Sequence, residues 1–149
     1  MERTKIMKKA PDLRKSYPRS PAEVLGGFVV LARIIDKCRA VIASTQGEYK
    51  YNCPLDRRFF DFTDIDADEF RALVAKGKTD EEIVAWVRSR TKSLSETEIA
   101  AWCYDSIHRG PVSVDEKTYF EQARRKYAPN HPYIAFWFQL LDTEEGRIK

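Results

Sequence analysis

Thr79-Asp80-Glu81-Glu82-Ile83-Val84-Ala85-Trp86, echoed sixteen residues later by Ser95-Glu96-Thr97-Glu98-Ile99-Ala100-Ala101-Trp102, decides the fold class. In each copy a hydroxyl side chain can accept from the amide three positions on, while the Glu there reaches back to the first amide. That reciprocal pairing starts a helix. Ile and Trp then fall three apart on one face, so the two helices are expected to lay similar stripes on a common core. Good helix starts resemble one another, which accounts for the echo without a duplicated functional unit.

The same signal recurs along the chain, with Ser20 and Glu23, Asp66 and Glu69, and Ser113 and Glu116. Pro21 suits the first helical position of the earliest box, and the pairs Ile65–Phe70 and Leu94–Ile99 read as hydrophobic staples. Gly77 and Gly110 follow periodic segments and are expected as left-handed caps. Pro129 closes the helix begun at Ser113, and a last helix is predicted after Asn130 toward Gly146. The sum is an all-α, compact single-domain bundle of about six helices. One segment, residues 47–54, breaks the pattern: Tyr49 and Tyr51 alternate with Glu48, Lys50 and Asn52, which predicts a short extended or irregular stretch. Leu55 to Phe62 is predicted as a short helix.

At 149 residues the chain carries one core, and 33% charged with 12% aromatic residues is an ordinary globular mixture. The net charge of +3 is unevenly spread. Residues 1–19 hold seven basic side chains against Glu2 and Asp12, so they are expected to be a basic, mobile leader, with residues 20–149 forming a slightly acidic helical domain. Cys38, Cys53 and Cys103 are an odd set with no Cys-x-x-Cys pair, which speaks against a disulfide framework and a zinc ribbon. The leader lacks the apolar core of a secretory signal, and the apolar run from Val24 meets Arg33, Asp36 and Lys37 too soon to span a membrane. A cytoplasmic location is the expectation.

The first helix is predicted from Pro21 to Ser44. Unrolled at 100° per residue, Val24, Phe28, Leu31, Ile34, Ile35, Cys38 and Ile42 cover more than half of its circumference. The remaining strip gathers Arg33, Asp36 and Lys37, while Arg39 projects toward the apolar side, where it needs a carboxylate such as Asp36 or Asp56. Two readings of this cluster stand. In one, Arg33, Lys37 and Arg39 converge on a small anionic ligand, Tyr49, Tyr51 and Asn52 supply walls and hydrogen bonds, and Asp36 and Asp56 orient the cations. In the other, Arg39 forms a structural ion pair with Asp36 or Asp56, and Arg33 and Lys37 are solvated.

The blocks Leu31-Ala32-Arg33-Ile34-Ile35-Asp36-Lys37-Cys38-Arg39-Ala40, Tyr49-Lys50-Tyr51-Asn52-Cys53-Pro54-Leu55-Asp56 and Thr79-Asp80-Glu81-Glu82 leading to Trp86 resemble a family of small bacterial domains of unknown function, number 5069. The likeness runs from Ser20 almost to the end, with Leu141-Asp142 and Gly146-Arg147 in keeping. It implies a domain type and supplies no catalytic role, cofactor or partner.

Other chemistries find less support. Cys53 with His108 or His131 could make a nucleophile and base, though no spacing demands it. Cys103 and His108 are five apart, off the i, i+4 spacing of helical zinc pairs, and the acidic run from Asp61 to Glu69 lacks the turn glycine of a calcium loop. No metal and no cofactor is expected. The helices from Thr79 and Ser95 imitate a helix-turn-helix, but the second opens with Glu96 and Glu98, which phosphates would repel, so no specific nucleic acid is expected. The aromatic run Tyr133-Ile134-Ala135-Phe136-Trp137-Phe138 and the three tryptophans are expected in the core. Were they exposed together, a homodimer or an interaction module acting through an aromatic surface becomes the reading.

Overall fold

The computed structural model describes residues 10–148. Seven helices and no strand are found among the described residues: α1 (Leu31–Ile42), α2 (Pro54–Thr63), α3 (Ala67–Ala75), α4 (Asp80–Arg90), α5 (Glu96–Ile107), α6 (Val114–Tyr127) and α7 (Trp137–Glu144). The all-α expectation therefore holds, and the stretch at 47–54 is irregular up to Pro54, where α2 begins. None of these helices is long and apolar enough to cross a membrane.

Local capping explains four of the starts. Thr79 and Ser113 make complete capping boxes with Glu82 and Glu116. Asp66 and Ser95 accept from the amides of Glu69 and Glu98. Each such cap contributes about 1 kcal/mol and removes an orphan donor. Gly77 takes the left-handed conformation expected of it, at φ 82°. Gly110 does not: it is needed for close approach, since a Cβ there would lie 2.6 Å from the carbonyl oxygen of Ala135.

The largest departure from the sequence reading is the first helix, which begins at Leu31 and not at Pro21. Ser20 uses its hydroxyl otherwise, accepting from the Ala22 amide at 3.1 Å and donating to Asp142 at 3.0 Å. Leu25 and Phe28 exchange both backbone hydrogen bonds across Gly26 (φ 60°) and Gly27 (φ 89°), forming a tight reverse turn. A Cβ on Gly26 would come within 2.5 Å of Val84 Cγ1, so the turn is pressed flat onto α4. The last helix is late as well: it starts at Trp137, whose amide bonds the carbonyl of Arg109 at 2.9 Å.

Helix α1 is the axis of the molecule. Leu31, Ala32, Ile34, Ile35 and Cys38 are wholly buried, among Phe28, Phe59, Phe70, Ile83 and Val87. Ile83 and Ile99 enter this one core as the shared stripe predicts, with Trp86 against Phe70 and Trp102 stacked on Phe62 at 4.9 Å. Phe120, Ala123 and Leu140, with Trp137, form a smaller core between α6 and α7. Of the segment expected as a leader, residues 1–9 lie outside the described residues. Residues 10–19 pack on the body: Leu13 is buried, and its amide donates to Thr45 at 2.8 Å.

Candidate functional site

The charged residues of α1 are matched, one by one, by partners far away in sequence. Because α1 is buried nearly all round, Arg33 and Lys37 are each only 3% exposed. Arg33 makes a two-pronged bond to Glu145, at 2.9 and 2.6 Å, and Tyr49 donates its hydroxyl to the same carboxylate at 2.8 Å. The guanidinium also lies over the Tyr49 ring, 5.6 Å from its centre. Burial alone would push the Glu145 carboxyl up, but Arg33, Arg147 and Tyr49 overcome that and hold it below its ordinary value. Burial and the same carboxylate push the Tyr49 phenol up.

Lys37 donates to Asp56 at 2.8 Å and touches the Cys53 sulfur at 3.2 Å, while the Asn52 amide donates to the other Asp56 oxygen at 2.9 Å. Thus Lys37, Asn52 and Asp56 form one closed group. Asp36 is held by Arg19 through backbone and guanidinium, and Arg39 by Asp80 at 2.8 Å and the Lys78 carbonyl at 3.0 Å. Arg19 also bonds Asp80, so these four form an open chain of alternating charge, Asp36–Arg19–Asp80–Arg39. Tyr51 stands apart, donating to the Ala67 carbonyl at 2.6 Å. The eight sequence candidates therefore divide into three bonded groups and a lone tyrosine. Arg39 pairs with neither Asp36 nor Asp56, and Arg33 and Lys37 are not solvated.

Unmatched charge lies elsewhere. Where the start of α2 meets the end of α5 and the start of α7, a hollow of about 440 Å³ is walled by Leu55, Trp137, Phe138 and Leu141. Arg58 and Arg109 both line it, and neither guanidinium has an ion pair or hydrogen bond to a described residue. Partial burial, and secondarily the charge of Arg109, lower the pKa of Arg58. Glu116 is also at the rim, but its carboxylate is engaged by the Ser113 and Val112 amides. On the other side of Leu141 a second hollow, of about 600 Å³, opens beside Arg33 and Tyr49.

Residues 15–147 match the model of a family described as a domain of unknown function, DUF5069. The chain belongs to that family. No curated protein matches it. The DUF5069 span takes in α1 to α7 and both partners of every α1 ion pair, from Arg19 to Glu145 and Arg147.

Sequence reasoning missed Arg58, Arg109, Glu145 and Asp80. Arg58 was hidden within a helix read for its phenylalanines, though it follows Leu55 by three and shares its face. Glu145 gave no local sign, since its partner lies 112 positions away. Of the cysteine and histidine candidates, Cys53 meets Lys37, and His108 holds the Tyr104 carbonyl at 2.7 Å.

Proposed function

We propose that this DUF5069 domain binds a small anionic ligand with an apolar body, in the hollow between α2, α5 and α7. The observation that carries the reading is the pair Arg58 and Arg109. Two cations with no bonded carboxylate line one apolar-walled space, Arg109 acting on Glu116 through its charge alone, and an anion there gains charge-assisted hydrogen bonds from both. Guanidinium forks suit a carboxylate or phosphate, and Leu55, Trp137 and Phe138 suit an aliphatic or aromatic body. The location differs from the first-helix strip because Arg33, Lys37 and Arg39 have their charge matched inside the chain. No catalytic role is assigned.

Thermal unfolding in benzoate or phenyl phosphate tests the reading. A ligand at a hundred times its Kd adds about 2.7 kcal/mol to stability. Arg58→Ala and Arg109→Ala are expected to leave the fold intact and abolish that gain. The reading fails if neither anion stabilises the parent protein, or if both variants respond as the parent does.

The alternative, an interaction module acting through an aromatic surface, rests on the exposed rings of Tyr104, Tyr119 and Tyr133. All three tryptophans pack against core side chains, which leaves that surface the poorer in large apolar anchors. Sedimentation of the purified protein separates the two: a concentration-dependent dimer favours the surface.

A further inference from the structure

The second hollow has the opposite chemistry. It is bounded by residues 13–17, the loop at 47–49, Tyr127 at the end of α6, and Glu144 at the end of α7. Its cations are engaged: Arg14 forks onto Asp12 at 2.9 and 3.0 Å, and Arg33 onto Glu145. Two of its acids are not. Glu48 and Glu144 make no ion pair or hydrogen bond with a described residue. Arg33, and to a smaller degree Lys126, act on Glu144 through their charge without an ion pair.

Three phenol rings, Tyr17, Tyr49 and Tyr127, complete the wall. The protein's own cations already lie on two of them. Arg33 lies over Tyr49 at 5.6 Å, and the Lys126 ammonium over Tyr127 at 5.0 Å; the Tyr17 ring, 55% exposed, carries none. Ring faces attract cations through their quadrupole, and more strongly where water is thin. We infer that the hollow is a binding site for an organic ammonium ion, held by the Glu48 and Glu144 carboxylates and the free face of Tyr17. Two free carboxylates are too few to replace the shell of a hydrated divalent cation, which calls for about six oxygens. Alkyl groups on nitrogen, by contrast, match phenol walls. Burial, and then the neighbouring Glu145 charge, hold the Glu144 carboxyl above its ordinary value against the charges of Arg33 and Lys126. The inference does not depend on the Arg58–Arg109 reading.

Titration calorimetry of the full chain with tetramethylammonium chloride, against sodium chloride at equal ionic strength, tests it. Saturable one-to-one binding is expected, weakened about fivefold or more by Glu144→Gln and by Tyr17→Leu, and unaltered by Arg58→Ala. Tyr17→Leu alters an exposed ring, so it keeps the test decisive even if Glu144→Gln misfolds. Absence of saturable heat, equal heat with sodium, or affinity unchanged by Tyr17→Leu and by any folded Glu144→Gln overturns the inference.

Discussion

Arg33 and Glu145 are each almost without solvent, so neither charge can be satisfied by water if the other is removed. Glu145→Gln keeps the shape and strands the guanidinium, and urea unfolding is expected to show a loss of about 3–5 kcal/mol. Arg33→Met with Glu145→Leu removes both charges and is expected to recover most of that loss, because the desolvation cost disappears with them. The adjacent carboxyls Glu144 and Glu145 respond to pH in opposite directions. Glu145 is held below its ordinary 4.5, so its stabilisation is present above that value and lost as pH falls through its lowered pKa. Glu144 is held above 4.5, so the stability linked to its proton is full below that value and lost as pH rises through its raised pKa. Urea midpoints measured from about pH 3 to 8 should show Glu145→Gln flattening the loss on the acid side and Glu144→Gln removing the fall in stability above 4.5.

The helix starts were legible where the signal is local. Thr79, Ser95, Asp66 and Ser113 bond amides three positions away, and nothing distant intervenes. Ser20, Pro21 and Glu23 satisfy the same rule, yet that stretch is a loop, because the Gly26–Gly27 turn docks on Val84 of α4 and tertiary packing overrides the cap. The charged strip was legible in part for the same reason. That Arg39 needs a partner follows from the helix projection, which leaves Arg33 and Lys37 on the polar strip, whereas Glu145, Asp56 and Asp80 are assigned by folding at separations of 112, 19 and 41 residues. Gly26→Ala measures the turn's part. Its positive φ costs an L-residue about 1–2 kcal/mol and its clash with Val84 adds to that. In the double variant Gly26→Ala, Val84→Ala the clash term is expected to vanish and the φ term to remain, so the two losses measured by denaturant should be less than additive.

Three separate stretches of chain close over α1, and the end of the chain fastens them. Arg147 bonds Asp142, Glu145 and the Pro18 carbonyl, Ser20 bonds Asp142, and Tyr49 reaches Glu145, so residues 18–20, the loop at 49 and the turn after α7 meet at one carboxylate cluster. The core beneath is apolar and could hold without them, but Arg33 could not. Removing residues 145–149 leaves α7 complete and deprives Arg33 of the one carboxylate it bonds among the described residues. The expected cost is about 3 kcal/mol or more, close to 10 °C in the melting temperature for a chain of this size. If the cost arises from the stranded charge, Arg33→Met should raise the melting temperature of the truncated protein while lowering that of the full chain. An equal fall in both would place the stabilisation in the lost backbone contacts instead, and the carboxylate cluster would then be a consequence of the closed fold with no part in holding it shut.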